Sequence, residues 1–135
     1  MSFSIPGVVY TRHSSGDMSA HQYKAVVAST ANGEEGCTVV ATRGAKLTGI
    51  WGNNSTAQEA GPVQLTGIAK VAAGDSSGMD TAITQGSFVV CSSKGAAVPS
   101  TGAANQYFIG VALESLSTGS TGIIAVALTI GGLST

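Results

Sequence analysis

YFIGVALESLSTGSTGIIAVAL, residues Tyr107–Leu128, is the stretch that decides the predicted fold. Two apolar runs with a two-residue period flank a Ser/Thr/Gly linker that is too polar to be buried. The alternating apolar positions are Ile109, Val111 and Leu113 in the first run, and Ile124, Val126 and Leu128 in the second. Such alternation is typical of half-buried strands. The stretch therefore predicts two strands joined by a surface loop.

The same pattern occurs earlier in the chain and indicates an internal duplication. Three features match in the same order: Gly36-x-x-Val39-Val40 with Gly86-x-x-Val89-Val90, Gly49-Ile50 with Gly110-Val111, and Gly61 with Gly122. Two similar three-strand units that pack face to face, or close on each other, would form a small β-barrel or a sandwich. The intervals Gly49–Gly61 and Gly110–Gly122 are expected to be surface loops and candidate contact regions.

Composition supports one β domain. The chain has 135 residues and a mass of 13.3 kDa, which is enough for a single core. Nineteen glycines and only 10% charged residues favour strands and turns over helices. The net charge is −1 and lysines and arginines are scattered, unlike in a nucleic-acid binder. No apolar run approaches the ~20 residues of a membrane helix, so we expect neither nucleic acid nor a membrane as partner.

Further strands are expected at five places: Lys24–Ala28, Gly36–Thr42, Lys46–Trp51, Val63–Ala72 and Ser87–Ser92. Ser93–Gln106 is expected to be a loop. Asp17 is placed to cap a short helical turn over Ser19–Gln22.

Residues 1–16 are expected to form an N-terminal arm ahead of a single β domain, residues 17–135. The apolar residues of the arm are Phe3, Ile5, Val8, Val9 and Tyr10. Arms fray unless something holds them, so we expect these side chains to contact another chain, by strand addition or lateral packing. Trp51, the only tryptophan, suits a core position and a subunit contact equally well.

The two cysteines, Cys37 and Cys91, each adjoin a valine-rich run and are expected to be buried free thiols. The N-terminus lacks the basic start and apolar run of a signal peptide. Both features favour synthesis in a reducing cytoplasm.

No motif in the sequence predicts catalysis. Gly74–Gly78, GDSSG, fits the G-x-S-x-G pattern, but that motif requires a following helix and a later histidine. Here no strong helix follows Ser76, and His13 and His21 both precede it. Asp75 and Asp80 supply too few oxygen ligands for calcium, and His13, His21 and Cys37 have no zinc spacing. The sequence predicts a protein that is not an enzyme and that has no metal or cofactor.

Three segments together carry a resemblance to a known group of proteins. They are Asp17–Val27, DMSAHQYKAVV; Val63–Ala73, VQLTGIAKVAA; and Lys94–Pro99, KGAAVP, leading to Ile109–Glu114 and Gly122–Leu128. In order and spacing they resemble the small capsid cement, or head-decoration, proteins of tailed bacteriophages. The resemblance spans Asp17 to Leu128, and residues 1–16 have no matching segment.

The resemblance implies a fold of β-barrel or β-tulip type that assembles as a homotrimer. It implies binding to the major capsid protein on the outer surface of an icosahedral virion, at three-fold and local three-fold positions. It implies no active site and no cofactor.

The sequence alone is also compatible with two other classes of function. A β-sandwich adhesion or carbohydrate-binding module would present an exposed aromatic platform, for which Trp51 with Tyr107 or Tyr23 are the candidates. A serine hydrolase would use Ser76 and needs a histidine within hydrogen-bonding reach of that side chain.

Overall fold

A computed structural model describes residues 4–29, 36–54, 59–75 and 81–132 of the chain, and these residues form eleven β-strands. In chain order the strands are β1 Ile5–Pro6, β2 Val9–Ser14, β3 Ala25–Ser29, β4 Gly36–Val39, β5 Gly49–Trp51, β6 Ala60–Gln64, β7 Gly67–Ala73, β8 Phe88–Cys91, β9 Ala97–Pro99, β10 Phe108–Ala112 and β11 Gly122–Leu128. These described ranges contain no helix. The prediction of a mainly β fold is confirmed.

The strands form two closed five-stranded barrels. In the first barrel the strand order is β2-β4-β3-β5-β6, and β6 pairs with β2 to close the ring. In the second the order is β7-β11-β10-β8-β9, and a parallel bridge between Ala73 and Ala97 closes it. The short strand β1 is added to the outside of β7. Closure removes the unpaired strand edges that an open sheet of this size would leave.

The two barrels share one pairing scheme, so the predicted duplication is seen in the topology. The strands of each barrel are numbered here in chain order, from β2 to β6 and from β7 to β11. In each barrel the first strand pairs in parallel with the third and antiparallel with the fifth. In each, the second strand pairs antiparallel with the third and the fourth, and the fourth pairs with the fifth. The repeated unit therefore has five strands and not three.

One of the three matched features was assigned to the wrong strands. Gly36-x-x-Val39 lies on β4, the third strand of its barrel, whereas Val89-Val90 lie on β8, a second strand. The other two matches are between equivalent strands: Gly49 with Gly110, and Gly61 with Gly122.

Gly49 and Gly110 show why glycine recurs at the fourth strand. Each lies opposite a valine of the second strand, Val26 in the first barrel and Val89 in the second. A Cβ on Gly49 would approach Val63 Cγ1 to 2.5 Å, and one on Gly110 would collide with the carbonyl oxygen of Ala127. The absence of a side chain lets the fourth and fifth strands approach closely enough to pair.

The prediction that Val63–Ala72 form a single strand is wrong. The segment is two strands in different barrels, because β6 ends at Gln64 and β7 begins at Gly67, whose φ is +87°. Leu65 and Thr66 are the link between the barrels. A positive φ is readily adopted only by glycine, which lets the chain change direction here.

The core is shared between the barrels. Trp51, Met18, Val26, Cys37 and Val63 fill the first barrel. A larger cluster fills the second barrel, and Ala25, Val40, Leu47 and Ile50 of the first barrel belong to it. Because one apolar cluster crosses from barrel to barrel, the two are packed as a single small domain.

The predicted arm is largely part of the first barrel. Val9–Ser14 form β2, which pairs with β6 over five residues, and Ser14 is buried. The prediction of an arm over residues 1–16 is therefore wrong for residues 9–14. Asp17 accepts a hydrogen bond from Ser19 N at 2.9 Å, but the following residues form turns and no helix. Phe3, Ser76 and Asp80 lie outside the described residues.

Candidate interaction surface

Exposed apolar side chains are concentrated in the N-terminal segment. Ile5, Val8 and Val9 are 57%, 56% and 44% exposed, and they lie within five consecutive residues. The remaining large apolar side chains that are exposed among the described residues are Phe88 and Ile123. A contiguous exposed apolar patch on a soluble protein indicates an interaction site more often than isolated residues do.

The N-terminal segment is held against its own chain by backbone hydrogen bonds. Gly7 N donates to Thr66 O at 3.3 Å, Val8 N donates to Thr66 Oγ1 at 2.8 Å, and Leu65 N donates to Val8 O at 2.8 Å. Ile5 pairs with Ile68 on β7. The apolar side chains are therefore presented on a backbone that is fixed at the link between the barrels.

A groove of about 210 Å³ opens beside this segment, between the two barrels. We call it the inter-barrel groove. Val9 of β2 and Pro62 and Gln64 of β6 line it from the first barrel, Lys70 of β7 lines it from the second, and Ser4 precedes β1. Tyr23 also lines it, together with Ile50 and Gly52. The groove thus joins residues that are far apart in sequence.

Tyr23 bridges the barrels through its backbone. Its N–H donates to Trp51 O at 2.7 Å in the first barrel, and its carbonyl accepts from Ala72 N at 2.8 Å in the second. Its φ is +66°, which is an uncommon conformation for a bulky residue. Both hydrogen bonds hold it there, and strained conformations of this kind occur most often at functional sites.

The side chain of Gln64 also forms hydrogen bonds across the junction between the barrels. Its Nε2 donates to Thr66 O at 2.9 Å and to Ile68 O at 3.2 Å, with a longer contact of 3.5 Å to Ile5 O. One amide group thus satisfies carbonyls in the link and in β7, and it also reaches β1. These hydrogen bonds fix the side chain of Gln64 at the rim of the groove.

A second cleft, of about 500 Å³, lies at the other end of β7. Asp75 lies in it with its side chain 2% exposed, and Lys94 Nζ is 3.2 Å from Asp75 Oδ1. Lys24 and Ile123 also line this cleft. A buried carboxylate requires a paired charge, so Asp75 of the GDSSG motif is an ion-pair partner of Lys94.

No family model and no curated protein matches the chain. Among solved structures it is similar to the N base of head fiber gp8.5 in bacteriophage phi29, with a TM-score of 0.62 and 16% identity. The similarity covers 89% of this chain and 93% of that chain. An alignment of that extent includes strands of both barrels, so the likeness is one of the whole two-barrel fold.

The predicted contact residues divide into three groups. Ile5, Val8 and Val9 are exposed and available to a partner, whereas Tyr10 is half-buried and packs against the first core, with the Arg12 guanidinium 5.6 Å from its ring centre. Trp51 is 0% exposed and lies inside the first barrel. A subunit contact by Trp51 is therefore excluded in this fold, and it is a core residue.

The adhesion-module hypothesis loses both of its structural requirements. The sheets close into barrels and do not form a sandwich. Trp51 is fully buried, so it cannot form an exposed aromatic platform with Tyr107 or Tyr23. The sequence did not single out the aromatic pair that the surface does carry, Phe88 and Phe108, with ring centres 4.6 Å apart. The pair could not be predicted from the sequence, because the two residues are twenty positions apart and β8 and β10 become neighbours only in the barrel.

Burial shifts the pKa values of both cysteines and of His21. Burial raises the pKa of Cys37 to about 11, against the opposing effect of Arg12, and burial also raises the pKa of Cys91. Both thiols are free, as predicted. Burial and then the charge of Lys24 lower the pKa of His21. Within the described ranges no three His, Cys, Asp or Glu residues are grouped to hold a metal ion.

The described residues include no helix with the length and apolar character that crossing a membrane requires.

Proposed function

We propose that the chain is a structural virion protein that decorates and stabilises an icosahedral phage capsid. In this proposal it binds the outer surface of the major capsid protein shell as a homotrimer. The observation that carries the proposal is the likeness to a phage head fiber base over 89% of this chain and 93% of that one. We propose no catalytic role and no cofactor.

The sequence resemblance to phage cement proteins supports the proposal independently. It rests on residues Asp17–Val27, Val63–Ala73 and the closing strands, whereas the structural likeness is one of fold at 16% identity. Two different kinds of comparison thus lead to proteins of phage heads.

The surface chemistry supports an adhesive role. In the proposal, Ile5, Val8 and Val9 contact another chain, together with Phe3 and the exposed part of Tyr10. A protein that binds assembled shells and not free subunits stabilises the shell by mass action. In a homotrimer three such patches act together, so weak individual contacts produce tight overall binding.

The cysteine chemistry suits a protein made in a host cytoplasm and carried on the outside of the particle. Cys37 and Cys91 are free and buried, so folding requires no oxidising compartment. Once buried, the thiols are shielded from oxidation outside the cell.

Sedimentation of the free protein and of its mixture with empty heads tests the proposal. A homotrimer would sediment with three times the 13.3 kDa chain mass. We expect the protein to co-sediment with heads that lack it, and to raise the temperature at which those heads disrupt. Failure to co-sediment with heads of the virus that encodes it would contradict the function, and a monomer both free and bound would contradict the trimer.

A further inference from the structure

We propose that the inter-barrel groove and the apolar side chains beside it form the docking site for one segment of the capsid shell protein. This segment presents an apolar side chain next to a carboxylate. The inference rests on the proposed function and specifies which surface binds the shell and by what chemistry.

The size of the groove favours a protein side chain as occupant. Its volume is about 210 Å³, below the roughly 300–1,000 Å³ of small-molecule sites. A space of that size accommodates one or two side chains. Val9 lines the groove and is 44% exposed, so a docking segment would contact it directly.

The apolar patch and the groove are preorganised. Val8 is fixed by hydrogen bonds in both directions, to Thr66 Oγ1 and from Leu65 N. Gln64 and Tyr23, which line the groove, are held by hydrogen bonds that cross the junction of the barrels. Preorganised surfaces lose little entropy on binding, so more of the contact energy is realised as affinity. Tyr is also enriched among the residues that dominate interface energies.

Lys70 determines the charge of the partner. It lines the groove, and the structure shows no ion pair between it and any described residue. The other cleft differs, because there Lys94 is already paired with Asp75 at 3.2 Å. Lys70, which has no ion-pair partner among the described residues, lines the groove together with Val9, Tyr23 and Pro62, and is complementary to a carboxylate that approaches along an apolar surface. The occupant is therefore acidic and apolar, and neither basic nor purely polar.

Binding to heads by variants tests this assignment. We expect Lys70→Glu and the double variant Val8→Ser/Val9→Ser each to weaken head binding by about tenfold or more, the usual scale for contacts near an interface centre. Lys70→Arg should retain binding. The matched controls are Lys46→Glu, an exposed lysine that does not line the groove, and Ile123→Ser, which is 45% exposed on β11. Both controls should bind within about twofold of the unaltered protein.

The same variants are examined alone by sedimentation and by urea unfolding. An unchanged mass and an unchanged unfolding midpoint for Lys70→Glu, with weakened head binding, support the docking site. Head binding equal to that of the unaltered protein would overturn the inference and leave the proposed function intact. A reduced mass for free Lys70→Glu would also overturn it, since the groove would then be a contact between copies of this chain. If the unaltered protein itself does not bind heads, the proposed function fails.

Discussion

The backbone of Gly61 lies against the indole ring of Trp51. A Cβ at position 61 would come within 2.5 Å of Trp51 Cζ2 and 2.6 Å of Cη2. The ring lies inside the first barrel, fully buried, and Gly61 is on β6, the strand that pairs with the strand of Trp51. The largest side chain of the core is therefore accommodated by the absence of a side chain on the neighbouring strand.

Gly61→Ala is expected to destabilise the protein by about 1–3 kcal/mol, the range for overpacking a filled core. The ring is surrounded by Met18, Val26 and Val63, so it cannot move away without disturbing them. Urea unfolding followed by the fluorescence of Trp51 measures the change. The control is Gly16→Ala, where an added Cβ meets nothing within 4 Å. A free energy of unfolding for Gly61→Ala equal to that of the control would contradict the packing described.

Gln64→Leu is expected to loosen the junction of the barrels. The substitution keeps most of the side-chain volume but removes the donor to Thr66 O and Ile68 O. We expect a loss of about 1–2 kcal/mol, because partly buried carbonyls then lose a partner. Hydrogen exchange at residues 65–68 should accelerate more than exchange at β10 and β11. Gln85→Leu is the control, since Gln85 is exposed and lies in the turn before β8, outside the junction. Equal exchange in both variants would exclude a fastening role for Gln64.

The sequence predicts strands well where apolar alternation and a glycine boundary coincide. The strand predicted from the alternation of Ile124, Val126 and Leu128 is found as β11, Gly122–Leu128. The break at Leu65-Thr66 is missed for a physical reason: Val63 and Val71 are both buried, so the odd-numbered positions stay inward on both sides of the break. Only Gly67 marks it, in a chain where glycine is frequent.

The candidate site was only partly predictable, because it depends on tertiary neighbours. Ile5, Val8 and Val9 stand out in the sequence as apolar residues near the N-terminus, and their side chains are exposed in the structure. Tyr23 and Lys70 do not stand out. In the alternation of its strand, Lys70 occupies an outward-facing position, where a lysine is usual. Tyr23 lines the groove with a left-handed backbone conformation that no sequence pattern indicates.

Stability is expected to fall as the pH is lowered through the titration of His21. Its pKa is lowered in the folded protein by burial and then by Lys24, whose Nζ lies 3.4 Å from His21 Nδ1. The folded state therefore binds this proton less readily than the unfolded chain, whose histidine pKa is about 6.5. The contribution of His21 is complete above that value and is lost as the pH falls through it towards the folded pKa.

Urea unfolding at about pH 8 and about pH 5 measures this effect, since the two values bracket the pKa of free histidine. His21→Gln should show a smaller decrease in stability between them than the unaltered protein does. His13→Gln, at an exposed position, should retain the full decrease. If His21→Gln were as sensitive to pH as the unaltered protein, another group would be responsible.

The two thiols are expected to be unreactive in the folded protein. Cys37 and Cys91 are 1% and 0% exposed, and burial raises the pKa of both, to about 11 for Cys37. A disulfide reagent reacts with an accessible thiolate. In the folded protein both sulfur atoms are buried and both thiols stay protonated, so neither requirement is met. At about pH 8, near the ordinary thiol pKa, labelling should be slow in buffer and should reach two thiols per chain in denaturant. Cys37→Ser and Cys91→Ser should each reduce the denatured value to one. Rapid labelling of native Cys91→Ser, in which only Cys37 remains, would show that the first barrel opens, and would contradict the closed ring in which β4 lies between β2 and β3.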